Sequence, residues 1–122
     1  MKENFSVLVV EDDDNYRDLL VKYFSKRSFD VIAVSNGLEA FRETEKRDFS
    51  LVITDIKMPV MDGLEFLKKL KEKNKTSKVI VLTAYGAMDS YVRALDWGAF
   101  DYLHKPVDLN ELSAVVDKLL GL

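Results

Sequence analysis

Short apolar runs alternate along this chain with longer stretches in which apolar residues recur every three or four positions. The short runs predict strands at Ser6–Val10, Asp30–Val34, Leu51–Thr54, Lys78–Leu82 and Asp101–Leu103. Between the first two, Tyr16, Leu19, Leu20, Tyr23 and Phe24 share one face of a helix, and near the end Leu112, Val115, Val116, Leu119 and Leu120 do the same. Three more helices, less sharply marked, span Leu38 to about Lys46, Leu64 to about Glu72 and Ala87 to about Trp97. Strand and helix in strict alternation predict βαβ units around a parallel sheet. The first, third and fourth strands are continuously apolar, as strands covered on both faces are, and should be central.

Local signals agree with this frame. The acidic run after the first strand supplies an N-cap in Asp13 or Asp14, where a carboxylate meets free N–H groups and the positive end of the helix dipole. Asp108 with Glu111 reads as the cap and capping box of the last helix, and Gly121 as its stop. Met58 and Met61 flank Pro59 and precede the turn signal Asp62-Gly63, so this segment is a shaped loop.

Composition narrows the possibilities further. A chain of 122 residues, 48% of them hydrophobic, fits one domain over 1–122, excised or not from a longer protein. A net charge of -3, a pI near 5.2 and basic residues scattered among acids argue against direct nucleic-acid binding. With no cysteine there is neither a disulfide framework nor a thiolate metal site. No signal peptide or membrane span is legible, so a soluble cytoplasmic protein is expected.

The chemistry gathers at the strand ends. Val7-Leu8-Val9-Val10 runs into Glu11-Asp12-Asp13, and Leu51-Val52-Ile53-Thr54 into Asp55. In a doubly wound sheet, ligands bind beyond the carboxyl ends of the strands, where Thr83 and the run His104-Lys105-Pro106 also stand. Three carboxylates at one edge repel one another unless a cation compensates, and all-oxygen ligands favour a hard ion such as Mg²⁺.

Val-Val-Glu-Asp-Asp, Asp55-Ile-Lys-Met-Pro-Val-Met-Asp-Gly, Thr83-Ala84 and Lys105-Pro106 together resemble the signature set of response-regulator receiver domains, over nearly the whole chain. The resemblance implies a flavodoxin-like doubly wound α/β fold, with five parallel strands in the order 2-1-3-4-5 and five helices on both faces. It also implies a phosphorylation switch of two-component signalling rather than a conventional enzyme, one that promotes its own aspartyl phosphorylation and dephosphorylation. Asp55 would be the phosphoacceptor. Glu11, Asp12, Asp55 and the backbone carbonyl of Lys57 would hold Mg²⁺. Glu11 replaces the commoner aspartate and is long enough to reach the ion through a water, so Asp12 is the better direct ligand.

On the same resemblance, Lys105 and Thr83 would contact the phosphoryl oxygens, with the N–H of Ala84 beside them, and Tyr102 would be the switch aromatic coupled to Thr83. The Lys105–Pro106 peptide is a candidate cis bond. A histidine kinase or phosphotransfer protein would dock on the first helix near Asp14, Asn15 and Leu19. The face made by the fourth helix, fifth strand and fifth helix would then control a downstream effector or a phosphorylation-dependent homodimer; transcription regulation is the expected context. Lys57 and Tyr85, two residues beyond Asp55 and Thr83, would screen the phosphoryl group from in-line water and lengthen its lifetime.

Other readings of the same residues are blander. Trp97 reads as core. His104, the single histidine, has no base partner apparent in sequence. A flavodoxin-like cofactor protein would need a hydroxyl- and glycine-rich loop after the first strand, where this chain is acidic. A small Mg²⁺-dependent phosphatase would carry a second aspartate two residues after the first, where Lys57 stands.

Overall fold

The structure is a computed structural model that describes residues 4–73, 75–84 and 88–122. Ten elements alternate: β1 (Ser6–Val10), α1 (Asp14–Lys26), β2 (Asp30–Val34), α2 (Gly37–Lys46), β3 (Leu51–Thr54), α3 (Gly63–Glu72), β4 (Lys78–Thr83), α4 (Met88–Asp96), β5 (Asp101–His104) and α5 (Leu109–Leu120). The five strands form one parallel sheet in the order β2-β1-β3-β4-β5, so the three continuously apolar runs are indeed the central ones. β4 and β5 each extend one residue further than the apolar pattern indicates, to Thr83 and His104, because the ladder outlasts the hydrophobic run. The expected start of α4 at Ala87 lies outside the described residues.

Alternation along each strand divides the interior in two. Val7, Val9, Leu51, Ile53, Ile80, Leu82 and Leu103 face α1 and α5, packing on Leu20, Phe24, Leu112, Val116 and Leu119. Leu8, Val10, Val52, Val79, Val81 and Tyr102 face the other way, against Ala40, Phe66, Leu67, Leu70 and Ala94 of α2, α3 and α4. Phe24 and Phe66 are completely buried, one on each side, and each contributes about 1.5–3 kcal/mol by leaving water.

Asx side chains open four of the helices. Asp13, Asn36, Asp62 and Asp108 accept the N–H of Tyr16, Glu39, Glu65 and Asn110, and α5 ends on Gly121 in the left-handed conformation. Asp13, not Asp14, is thus the cap of α1. Val60, in the loop after β3, is 76% exposed at φ 69°. A β-branched residue there carries roughly 1–2 kcal/mol of backbone strain. No helix among the described residues is long and apolar enough to cross a membrane.

Candidate functional site

Backbone hydrogen bonds carry the sheet ladder one residue past the strand ends and so set the site. Glu11 N–H donates to Val34 O at 3.1 Å, Asp55 N–H to Val10 O at 3.1 Å and Lys105 N–H to Thr83 O at 2.9 Å. The Lys105–Pro106 peptide is cis, as the resemblance implied. Lys105 Nζ donates to Asp55 Oδ2 at 2.7 Å and to Glu11 Oε1. The remaining oxygens of this pair take backbone donors: Ile56 N–H reaches Asp55 Oδ1 at 2.6 Å, and Asp13 N–H reaches Glu11 Oε2 at 3.1 Å. Glu11 is 2% exposed and Asp55 7%, while Asp12 stands in solvent at the mouth.

A carboxylate oxygen from each of Glu11, Asp12 and Asp55 lies within 4.8 Å of the other two. Three acids against one ammonium, all offering oxygen, form a donor set that fits a hard divalent cation. Asp12 makes no ion pair among the described residues, which leaves it open to such a ligand.

Burial pushes Glu11 above its ordinary value, and the hydrogen bonds from Lys105 and Asp13 N–H offset this only in part. Burial acts to lower Lys105, but hydrogen bonds to Asp55 and Glu11 outweigh it and hold the ammonium above its usual range. The site therefore keeps Lys105 charged at a cost in carboxylate desolvation. Because the folded value of Glu11 exceeds the ordinary 4.5, its cost to stability is full above the folded value and fades as pH falls through that value toward 4.5. Glu11→Gln is expected to raise the melting temperature at pH 7 by a few degrees, with the advantage over the parent shrinking in acid. Thermal melts at pH 7 and pH 4 check this; an equal or lower melting temperature at pH 7 would contradict the desolvation argument.

Thr83 is 1% exposed and continues the phase of Val79 and Val81 on the α2–α4 side of the sheet. Tyr102, the register partner of Val81, lies on the same face, one diagonal step from Thr83. Tyr102 is already buried, its ring edge-on to Tyr91 of α4 at 5.3 Å and to His104 at 5.6 Å. His104 forms the exposed edge of this aromatic cluster. Trp97 packs half-buried against the same core, as read from sequence. The side chain of Lys57 is exposed beside Asp55; Tyr85 lies outside the described residues.

Three residues at the site carry roles the sequence pattern did not reveal. Arg17 Nη1 donates to Glu11 O at 2.9 Å and Nη2 pairs with Asp14, fastening the acidic loop to α1. Tyr16, read as a core position of α1, places its ring beneath Lys105, 4.6 Å from Nζ. Gly63, read as a turn residue, is the first residue of α3, and a Cβ there would sit 2.0 Å from Asp55 O. The first two follow Asp13 by helical spacing, a signal that points them back at the strand ends once Asp13 is known to be the cap.

Comparison with known proteins agrees with the geometry. Residues 7–117 match the family model described as the response regulator receiver domain. The transcriptional regulatory protein ZraR of Escherichia coli O157:H7 is 36% identical over 119 residues, covering 98% of this chain and 27% of ZraR. Sporulation initiation phosphotransferase F of Bacillus subtilis is also 36% identical over 119 residues, covering 98% of this chain and 96% of that protein. The chain thus spans about a quarter of regulators such as ZraR and AtoC, but nearly all of the phosphotransferase. Among solved structures, a CheY-like receiver domain protein from Methanospirillum hungatei JF-1 superposes with a TM-score of 0.93 at 28% identity, over 98% of this chain and 95% of that one.

Proposed function

Because the chain belongs to the response regulator receiver domain family, we propose that Asp55 accepts a phosphoryl group from the phosphohistidine of a histidine kinase or phosphotransfer protein. Receivers are signalling domains rather than conventional enzymes. In this reading the domain also promotes its own phosphorylation and dephosphorylation. The observation that carries it is Lys105, whose ammonium bridges Asp55 and Glu11 while Asp12 stands open beside them.

Glu11, Asp12, Asp55 and the Lys57 carbonyl would hold Mg²⁺, which when bound supplies positive charge to the oxygens of the transferring group. A carboxylate oxygen of Asp55 attacks phosphorus in line as the P–N bond to the donor imidazole breaks, its electron pair leaving with the imidazole. Lys105 moves from the carboxylate to a phosphoryl oxygen, and the Thr83 hydroxyl donates to another.

That pull on Thr83 is felt by Tyr102, its diagonal neighbour on the same sheet face, and through Tyr91 by α4. The α4-β5-α5 face then changes and is read by an effector domain or protein, or by a second copy of the chain. A kinase docks at Asp14, Asn15 and Leu19, all exposed on α1.

The test is the intact mass after incubation with Mg²⁺ and acetyl phosphate: a gain of about 80 mass units supports the reading and an unchanged mass sinks it. Once phosphorylated, the domain is expected to hold its phosphoryl group for long, because the exposed side chain of Lys57, two residues beyond Asp55, obstructs in-line water. Lys57→Asn should shorten the half-life several-fold, about 1 kcal/mol of barrier. A half-life unchanged by that substitution would remove Lys57 from this role.

A further inference from the structure

The ammonium that closes the site has a third neighbour that the phosphoryl chemistry leaves unused. Lys105 Nζ lies 4.6 Å from the centroid of the Tyr16 ring. Tyr16 Oη accepts the N–H of Val107 at 3.1 Å, so the same side chain also grips the backbone two residues beyond the lysine. Its own N–H is held by Asp13 Oδ1 at 2.9 Å, and the adjacent Arg17 holds Glu11 O. Tyr16 is therefore tied at both ends, to the acidic loop and to the segment carrying the lysine.

We propose that Tyr16 is the positioning residue for Lys105, its ring holding the ammonium over the acidic cleft while its hydroxyl fixes the following segment. This rests on the reading of Lys105 as the phosphoryl partner and goes one residue beyond it. A lysine has four rotatable carbons, and carboxylates alone hold it only as long as their charge stays in place. Once Asp55 becomes an acyl phosphate, the Oδ2 contact is lost and the negative charge lies further out. The face of an aromatic ring attracts the cation without changing its own charge through these steps. The Lys105 side chain is 14% exposed, and a shielded cation–π contact belongs to the stronger end of its range. An aliphatic residue would fill the same space on α1, but could neither attract the ammonium nor accept the Val107 N–H.

Tyr16→Leu, Tyr16→Met and Tyr16→Phe separate the parts. In protein labelled with ¹³C-lysine, the Hε resonances of Lys105, assigned by their loss in Lys105→Arg, are expected upfield in the parent and in Tyr16→Phe from the ring current. They should return to the ordinary lysine position in the Leu and Met variants. Labelling by acetyl phosphate at saturating Mg²⁺ is expected to slow about fivefold without the ring, the rate equivalent of one such contact. In Tyr16→Phe it should stay within about twofold of the parent, while the melting temperature falls for want of the Val107 acceptor. Unshifted Lys105 resonances in the parent overturn the proposal, as does a folded Leu or Met variant labelling at the parent rate. Equal slowing in Phe and Leu also overturns it, because the hydroxyl and not the ring would then be the hold. If the parent takes no label at all, the assignment of Asp55 is what fails, and the resonance shift still decides on Tyr16.

Discussion

Asp55→Asn is expected to fold and to gain no mass with Mg²⁺ and acetyl phosphate, where the parent gains about 80 mass units. Asparagine matches aspartate in shape, so its side-chain oxygen can keep the Ile56 N–H that now lies 2.6 Å from Asp55 Oδ1. Lys105 retains Glu11 as a partner. What disappears is the nucleophile, because an amide oxygen does not attack phosphorus as a carboxylate does. Labelling should drop below detection while the circular dichroism of the folded domain is preserved. A fully labelled mutant would move the acceptor to Asp12 or Glu11, the other two carboxylates of the cluster.

Gly63→Ala is the largest expected effect from a single methyl group. The added Cβ would stand 2.0 Å from Asp55 O and 2.9 Å from its carbonyl carbon. Both are backbone atoms that cannot rotate aside. The same carbonyl oxygen already receives Thr54 Oγ1 of β3 at 2.9 Å, and Gly63 N–H ties the start of α3 to Ile56 O at 2.8 Å, so neither the carbonyl nor the helix start is free to move. Relief requires moving α3 or the Asp55 backbone, at about 2–3 kcal/mol and roughly 10 °C in melting temperature. Labelling should fall with it, because Asp55 loses its place between Ile56 and Lys105. A variant that melts and labels like the parent would show that the loop gives way elsewhere.

The fold was legible because burial is periodic. Apolar runs in β1, β3 and β4 announced strands covered on both faces, and the helical spacing of Leu20, Phe24, Leu112 and Val116 marked the faces that cover one side. The acids and the lysine were legible for a similar reason, since each sits at the end of a recognisable run. Tyr16 and Gly63 escaped because their roles depend on register in space. A tyrosine at a core spacing shows nothing of the cation above it, and a glycine beside an aspartate looks like a turn until the carbonyl packed against its α-carbon is seen. Tyr102 was placed by resemblance, but its starting position was not. That depends on Tyr91, contributed by a helix whose boundary the pattern marked only loosely.

Trp97 packs beside the gap between α3 and α4, with Lys68 Nζ 5.6 Å and Lys71 Nζ 5.8 Å from its ring, while Lys71 also donates to Asp96 O at 2.7 Å. As the single tryptophan, it makes the protein its own optical probe, with ammonium groups of α3 close enough to alter its emission. The fluorophore sits on the α2–α4 side of the sheet, at the end of α4 and against lysines of α3, so its emission is expected to report the packing of these two helices. If phosphorylation moves α4 as proposed, a change in emission times that movement, and its delay behind the gain in mass measures how long the domain takes to pass the signal across.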